Sequence, residues 1–279
     1  MFLELMAITK LHSKIFDFLE RKFLKIGKRI RFAISTVLIS FLMLFSTFFF
    51  FDKVWIFLPL LALSSYILTY FSVLEEIEKI EWITLFIMPI ALTISFYLFY
   101  FLFPGRWLTR LPFIIIFSVS YYATLLCSNI FNVGVEKNLQ LYRAAFSINF
   151  FYQTLIAFLL FNNFFSLKLN FFYNGILTGV VSFLLALQLI WTVRLNLTLE
   201  EYIIHFSLLI ALVIFELGVA LSFVPLASSI FALFLSAVYY CLAGMIFHYH
   251  DQSLFKETIR EYLTVLVFVG IITLLSISW

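Results

Sequence analysis

The sequence predicts an all-α fold, a polytopic bundle of about nine transmembrane helices preceded by a basic amphipathic helix at the membrane surface. Three observations predict it. The 279-residue chain is 64% hydrophobic and only 12% charged, whereas a soluble domain carries about 25% charged residues. Its apolar residues fall into runs of roughly twenty, the length that crosses about 30 Å of hydrocarbon. Basic residues are concentrated before the first of these runs.

The segment 1–31 is predicted to be an interfacial helix. Apolar residues recur along it at helical spacing, with most of its Lys and Arg off that stripe, as in helices that lie on anionic membranes. We expect a topology-fixing anchor, with a lipid-sensing or partner-binding arm as the alternative. We also expect a retained signal anchor, since no small-residue cleavage site follows the first apolar run. The stripe consists of Leu11, Ile15, Phe18, Leu19, Phe23, Ile26 and Ile30.

The remainder, 32–279, is predicted to be one transmembrane domain. The seventh and eighth apolar runs almost abut, but together they exceed 40 residues. Two antiparallel helices joined by a tight turn therefore fit better than one. The predicted spans are 33–51, 54–74, 83–103, 112–133, 144–165, 171–191, 202–223, 225–247 and 262–278.

The distribution of Lys and Arg predicts that the N-terminus is cytoplasmic. With that orientation, fourteen of the 18 basic residues face the cytoplasm and four face outward. Eight of the fourteen lie between Lys10 and Arg31, so the prediction depends on the first helix. An odd number of spans then puts the C-terminus outside, and we expect a multi-pass protein of the plasma (inner) membrane. Its partner is the lipid bilayer, and no nucleic acid is expected.

Small residues at intervals of four indicate where helices approach closely in lipid. Gly175 and Gly179 form such a pair in the sixth span. A second ridge runs along the eighth span at Ser228, Ala232, Ser236 and Gly244. We interpret these positions as helix-packing residues. Cys127 and Cys241 lie inside apolar runs and are interpreted as small packing residues as well.

Glu216 is the one ionisable residue well inside a span, a few residues beyond the centre of the seventh. Inserting an unpaired charge near the midplane costs roughly 2.5–3.5 kcal/mol on insertion scales. Glu216 is therefore either a proton-coupling or ligand-binding carboxyl, or a structural group that donates a hydrogen bond to a neighbouring helix. We favour the structural role, because no other ionisable side chain lies at comparable depth. Ser207, Ala211, Gly218 and Ser222 form a small-residue face opposite Glu216. If that face packs against a neighbouring helix and Glu216 also faces protein, the seventh span is central.

Side-chain amides gather toward the inner leaflet under this topology. Asn129 lies near the end of the fourth span, Asn149 and Gln153 begin the fifth, and Gln188 lies near the end of the sixth. They could line a cytoplasm-facing cavity for a neutral ligand. They could equally cap helix ends and tie helices together, which is the interpretation we favour.

No metal or cofactor is predicted. His248 and His250 point to different sides of a helix, and no third strong ligand is near them in sequence. Walker A, H-E-x-x-H and G-x-S-x-G motifs are absent from the chain. An enzyme acting on a lipid-linked substrate would have to rely on Asp52 or on the joint 136–143.

Three stretches resemble an uncharacterised family of polytopic bacterial membrane proteins. The resemblance covers roughly the last two thirds of the chain. It implies a bacterial inner-membrane location and no particular activity. The stretches are 128–151 (SNIFNVGVEKNLQLYRAAFSINFF), 216–227 (ELGVALSFVPLA) and 261–279 (EYLTVLVFVGIITLLSISW).

The sequence therefore favours a non-enzymatic integral membrane protein. It would be either an accessory subunit of a membrane complex, supported by the small-residue ridges, or a small permease-like carrier, supported by Glu216 and the amides. A membrane-embedded enzyme acting on a lipid-linked substrate is the alternative.

Overall fold

The fold was obtained as a computed structural model, which describes residues 27–49, 53–74, 77–78, 80–102, 107–133 and 140–277. Over these residues the chain is all-helical, with nine helices and no strand. Each helix is long and apolar enough to cross a membrane. The helices are α1 (Lys28–Ser46), α2 (Val54–Val73), α3 (Glu81–Tyr100), α4 (Trp107–Asn132), α5 (Gln140–Ser166), α6 (Phe171–Trp191), α7 (Glu201–Leu221), α8 (Ser228–His250) and α9 (Lys256–Leu275).

The predicted all-helical class with nine spans is confirmed, but α1, α4, α5 and α9 each begin four to six residues before their predicted spans. Helix α1 begins at Lys28 and not at 33, and the division between an interfacial segment ending at residue 31 and a bundle starting at 32 stays a prediction. Helix α9 begins at Lys256 and not at 262. Both helices extend through basic residues, because backbone hydrogen bonding continues into the interface where hydropathy has already fallen. The rest of the predicted interfacial helix, 1–26, lies outside the described residues.

The helices differ in how far their neighbours surround them. Helices α1 to α4 pack against one another, and α5 contacts α3, α4, α6 and α8. Helices α6 and α8 also touch each other and are the most enclosed, with 67% and 61% of their apolar windows buried. Only 28% of α7 and 17% of α9 is buried. Helix α7 rests mainly on α6, and α9 on α8, so both are peripheral.

Glycines hold α6 and α7 together at close range. A Cβ added at Gly218 would lie 3.4 Å from the Cα of Gly175 and 2.8 Å from the Thr178 hydroxyl oxygen. A Cβ at Gly175 or Gly179 would meet the Phe215 side chain at 3.0 and 3.2 Å. The predicted packing glycines of α6 thus make room for Phe215 of α7, and Gly175 also lies opposite Gly218, as lipid-embedded helices require when backbones approach closely.

The small residues of α8 serve different neighbours. Ala232 and Ser236 are buried, whereas Ser228 is half-buried at the first residue of the helix. Gly244 makes room for the ring of Tyr262 on α9, whose Cζ would lie 2.5 Å from an added Cβ. The contact between the Tyr262 ring and the Gly244 backbone thus joins α9 to α8.

The two cysteines are buried thiols within the bundle. Cys127 donates a hydrogen bond to the carbonyl of Ala145 at 3.5 Å, which joins α4 to α5. Cys241 donates to the carbonyl of Tyr262 at 3.1 Å, which joins α8 to α9. Both therefore act as small packing residues with a weak hydrogen bond.

Candidate functional site

Three of the four predicted amides meet at the contact of α5, α6 and α8. The side-chain amide of Asn149 donates to the Gln188 side-chain oxygen at 3.1 Å. The amide of Gln153 donates to that same oxygen and, at 3.1 Å, to the backbone carbonyl of Leu185. Tyr239 on α8 completes the cluster by donating its hydroxyl to the Gln153 oxygen at 3.0 Å. We call these four side chains the amide cluster: Asn149, Gln153, Gln188 and Tyr239.

The amide cluster is closed to solvent. Its members are between 0% and 2% exposed, and the donors and acceptors described above are directed at one another. Buried amides that bond to each other have little capacity left for a ligand, and they hold neighbouring helices in register. The arrangement is therefore a cross-link between three helices and not the lining of an open cavity.

Asn129 and Glu216 do not join this cluster. Asn129 is half-buried near the end of α4, and its side-chain oxygen has no hydrogen-bond partner among the described residues. Glu216 is exposed on α7. The expectation that α7 would be central therefore fails on its second condition: its small face does pack against α6, but Glu216 faces away from the bundle.

Glu216 lies on a continuous exposed ridge, which we call the α7 ridge. Its members recur every fourth residue: Ile204, Leu208, Leu212, Glu216 and Ala220. Glu216 is five residues before Leu221, where α7 ends, which is about 7 Å along the helix axis. The carboxyl is thus inside the span and faces whatever surrounds the bundle.

A groove of about 860 Å³ opens between α5, α8 and the start of α9. One end is polar and the remainder is mostly aromatic. This volume lies within the range of small-molecule sites, roughly 300–1,000 Å³. We call it the aromatic groove, and it is lined by Tyr142, Arg143, Phe146, Ser147, Phe150, Phe151, Thr154, Tyr240, Phe247, His248, Asp251, Ser253 and Tyr262.

Stacked rings form the wall of the aromatic groove. Phe146 on α5 stacks on Phe247 of α8 with ring centroids 3.8 Å apart. One turn deeper, Phe150 stacks on Tyr240 at 4.9 Å. Because each pair spans the two helices, the rings form a continuous aromatic wall between α5 and α8.

The polar end combines charge with hydrogen-bonding groups. Arg143 is exposed near the start of α5, and Asp251 follows directly after α8. His248 and Ser253 form a hydrogen bond of 2.8 Å between Nδ1 and the hydroxyl oxygen. His250 takes no part, since its ring stacks on Tyr202 at 4.6 Å.

The described residues contain no group of three His, Cys, Asp or Glu side chains arranged to hold a metal ion. The residues proposed for the enzyme alternative fall largely outside the part of the chain that the structure describes. Asp52 and residues 136–139 lie outside the described residues, whereas Arg143 lines the aromatic groove.

Sequence reasoning missed two features. The aromatic groove could not be recognised because the 39 phenylalanines of the chain occur in every span, so the stacked pairs did not stand out.

The second missed feature is a buried cluster of hydroxyl groups. The Tyr121 hydroxyl of α4 forms hydrogen bonds with Ser65 and Thr69 of α2, each at 3.3 Å. Thr93 of α3 donates to Ser65 at 3.3 Å. Its hydroxyls link three helices of the first half.

Over the described residues, nine apolar helices of membrane-spanning length are compatible with a multi-pass helical membrane protein. Within that class, the chain belongs to the DUF5656 family, described as a protein of unknown function, whose model matches residues 65–276. The match confirms the resemblance to an uncharacterised family and includes the amide cluster and the aromatic groove. No match to the chain was found among the curated proteins or the solved structures.

Proposed function

We propose that this protein is a non-enzymatic, carrier-type membrane protein that binds a lipid-like amphiphile in the aromatic groove. The observation that carries the proposal is the groove itself, an 860 Å³ cleft that is polar at one end and aromatic beyond it. An amphiphile has the same division between head and tail. A neutral, water-soluble ligand would leave the aromatic wall without a partner.

The length of the aromatic groove supports this proposal. Arg143 at the polar end and Thr154 at the apolar end are eleven residues apart on α5. At 1.5 Å per residue this is about 16 Å, close to half of the roughly 30 Å hydrocarbon layer. The groove thus suits a molecule whose head lies at one membrane face and whose tail reaches the midplane.

The orientation we propose puts the polar end at the cytoplasmic face of a bacterial inner membrane. The excess of Lys and Arg on that side supports it, with Arg143, Lys256 and Arg260 near the groove contributing to the excess. The ligand would then come from the inner leaflet.

Filling the aromatic groove should prevent binding. Ser147 lines it and is exposed, so Ser147→Trp introduces an indole where the tail would lie. We expect at least about tenfold less phospholipid to be retained per protein. Native mass spectrometry of protein purified in mild detergent measures the bound lipid directly.

Ser229→Trp is the matched control, since Ser229 is exposed at the opposite end of α8 and outside the groove. It should retain lipid as the wild type does. Equal retention by wild type, Ser147→Trp and Ser229→Trp would contradict the proposal.

A second candidate role, as a subunit of a membrane assembly, is favoured by the α7 ridge. Its apolar residues suit lipid, but Glu216 at the same surface does not, because a carboxyl in hydrocarbon lacks hydrogen-bond partners. A neighbouring helix with a polar group at that depth would satisfy it.

Replacing Glu216 tests this role. Glu216→Leu should abolish co-purification of a partner or a second copy in mild detergent, whereas Glu216→Gln keeps a hydrogen-bonding group and should preserve it. Blue-native electrophoresis and chemical cross-linking in native membranes provide the measurement. A wild-type chain that migrates alone under every mild condition would count against the assembly.

A further inference from the structure

The polar end of the aromatic groove presents two opposite charges that do not neutralise each other. Arg143 and Asp251 line the same groove, yet among the described residues neither side chain forms an ion pair. Elsewhere at the bundle surface Arg194 and Glu200 do pair, at 3.2 Å. Within the described part of the chain, Arg143 and Asp251 are thus a cation and an anion that line one groove without an ion pair.

Such a pair is complementary to a ligand head that also carries both charges. A purely anionic head would be attracted by Arg143 but repelled by Asp251. A purely cationic head would be attracted by Asp251 but repelled by Arg143. A head with a phosphate and a primary ammonium can satisfy both, since the guanidinium matches phosphate oxygens and the carboxylate accepts from the ammonium.

The neighbouring imidazole and hydroxyl fit the same head. The hydrogen bond between His248 and Ser253 fixes both groups at this end of the groove. Both can add hydrogen bonds to a phosphate ester. The aromatic wall beyond them accepts the tail.

We infer that the groove selects a zwitterionic phospholipid of the phosphatidylethanolamine type, with its phosphate at Arg143 and its ammonium at Asp251. This inference rests on the proposed amphiphile-binding function and adds the class of head group. The selectivity comes from Asp251, whereas Arg143 contributes to the binding of any phospholipid.

The test compares phosphatidylethanolamine with phosphatidylglycerol of identical chains, titrated into delipidated full-length protein in detergent and followed by native mass spectrometry. The wild type should bind phosphatidylethanolamine about tenfold more tightly, the effect of one charge-assisted hydrogen bond. Asp251→Asn should reduce that preference toward equality by weakening only the ethanolamine lipid. Arg143→Gln should weaken both lipids by about tenfold.

The outcomes separate the two proposals. If the wild type binds both lipids equally and Asp251→Asn changes neither, the head-group inference is overturned, although lipid binding that Ser147→Trp abolishes would still support the groove. If Ser147→Trp binds as much lipid as the wild type, the proposed function itself fails. Unchanged thermal unfolding of all variants in the same detergent ensures that the comparison concerns folded protein.

Discussion

Gly218→Leu is expected to detach α7 from the bundle. A Cβ at this position would lie 2.8 Å from the Thr178 hydroxyl, which is itself held by hydrogen bonds to the carbonyls of Asn174 and Gly175 at 2.8 and 3.0 Å. The backbone of α6 lies directly behind it, so the added side chain has no room. Because α7 rests mainly on α6, we expect the free energy of unfolding to fall by about 2–3 kcal/mol.

The measurement is unfolding in mixed micelles with increasing SDS fraction, followed by circular dichroism and by proteolysis of α7. Gly270→Leu is the matched control, since an added Cβ at Gly270 of α9 meets no atom within 4 Å. It should unfold within about 0.5 kcal/mol of the wild type. Equal stability of the two variants would show that α6 and α7 are not packed at this distance.

Gln153→Leu is expected to produce the second large loss of stability. Gln153 is 0% exposed and contacts the Gln188 side chain, the Leu185 carbonyl and the Tyr239 hydroxyl. Leucine leaves the buried Tyr239 phenol without its acceptor and removes the side-chain hydrogen bonds to the Gln188 oxygen and the Leu185 carbonyl. At about 1 kcal/mol for the unsatisfied phenol and about 1 kcal/mol for the lost hydrogen bonds, we expect a loss of about 2 kcal/mol, measured by the same SDS titration.

A double-mutant cycle with Tyr239→Phe separates the network from general packing. Removing the Tyr239 hydroxyl should cost about 1 kcal/mol in the wild type and close to nothing in Gln153→Leu, since its acceptor is then already gone. Thr264→Val on the exposed face of α9, where the hydroxyl bonds only to its own helix at Arg260, is the control. Additive effects would mean that Gln153 and Tyr239 act independently.

Helix number and class could be predicted because the cost of exposing a backbone to hydrocarbon leaves no other local solution for long apolar runs. The starts of α1, α4, α5 and α9 could not. Basic residues such as Lys28 and Lys256 lower the hydropathy at these ends, but a helix can continue where charged side chains reach water. Hydropathy marks the boundary of the lipid, and the helix extends beyond that boundary.

Which neighbour a side chain faces was harder to predict than its position along the helix. Asn149, Gln153 and Gln188 were expected at similar depth in the membrane. The sequence does not show which helices are neighbours, so it could not place Tyr239 of α8 beside them. Glu216 lies on a helix that is apolar on every side, so periodicity does not reveal which face meets protein. The ridge of small residues on the opposite face was the better guide.

The burial of both native thiols makes labelling experiments simple. Cys127 and Cys241 are inaccessible and hydrogen-bonded within the bundle, so the wild-type chain should not react with a membrane-impermeant maleimide. A single new cysteine at Gln252 or at Lys168, in the joints after α8 and α5, would then report which face of the bilayer each joint occupies in intact cells. No cysteine-free background is needed.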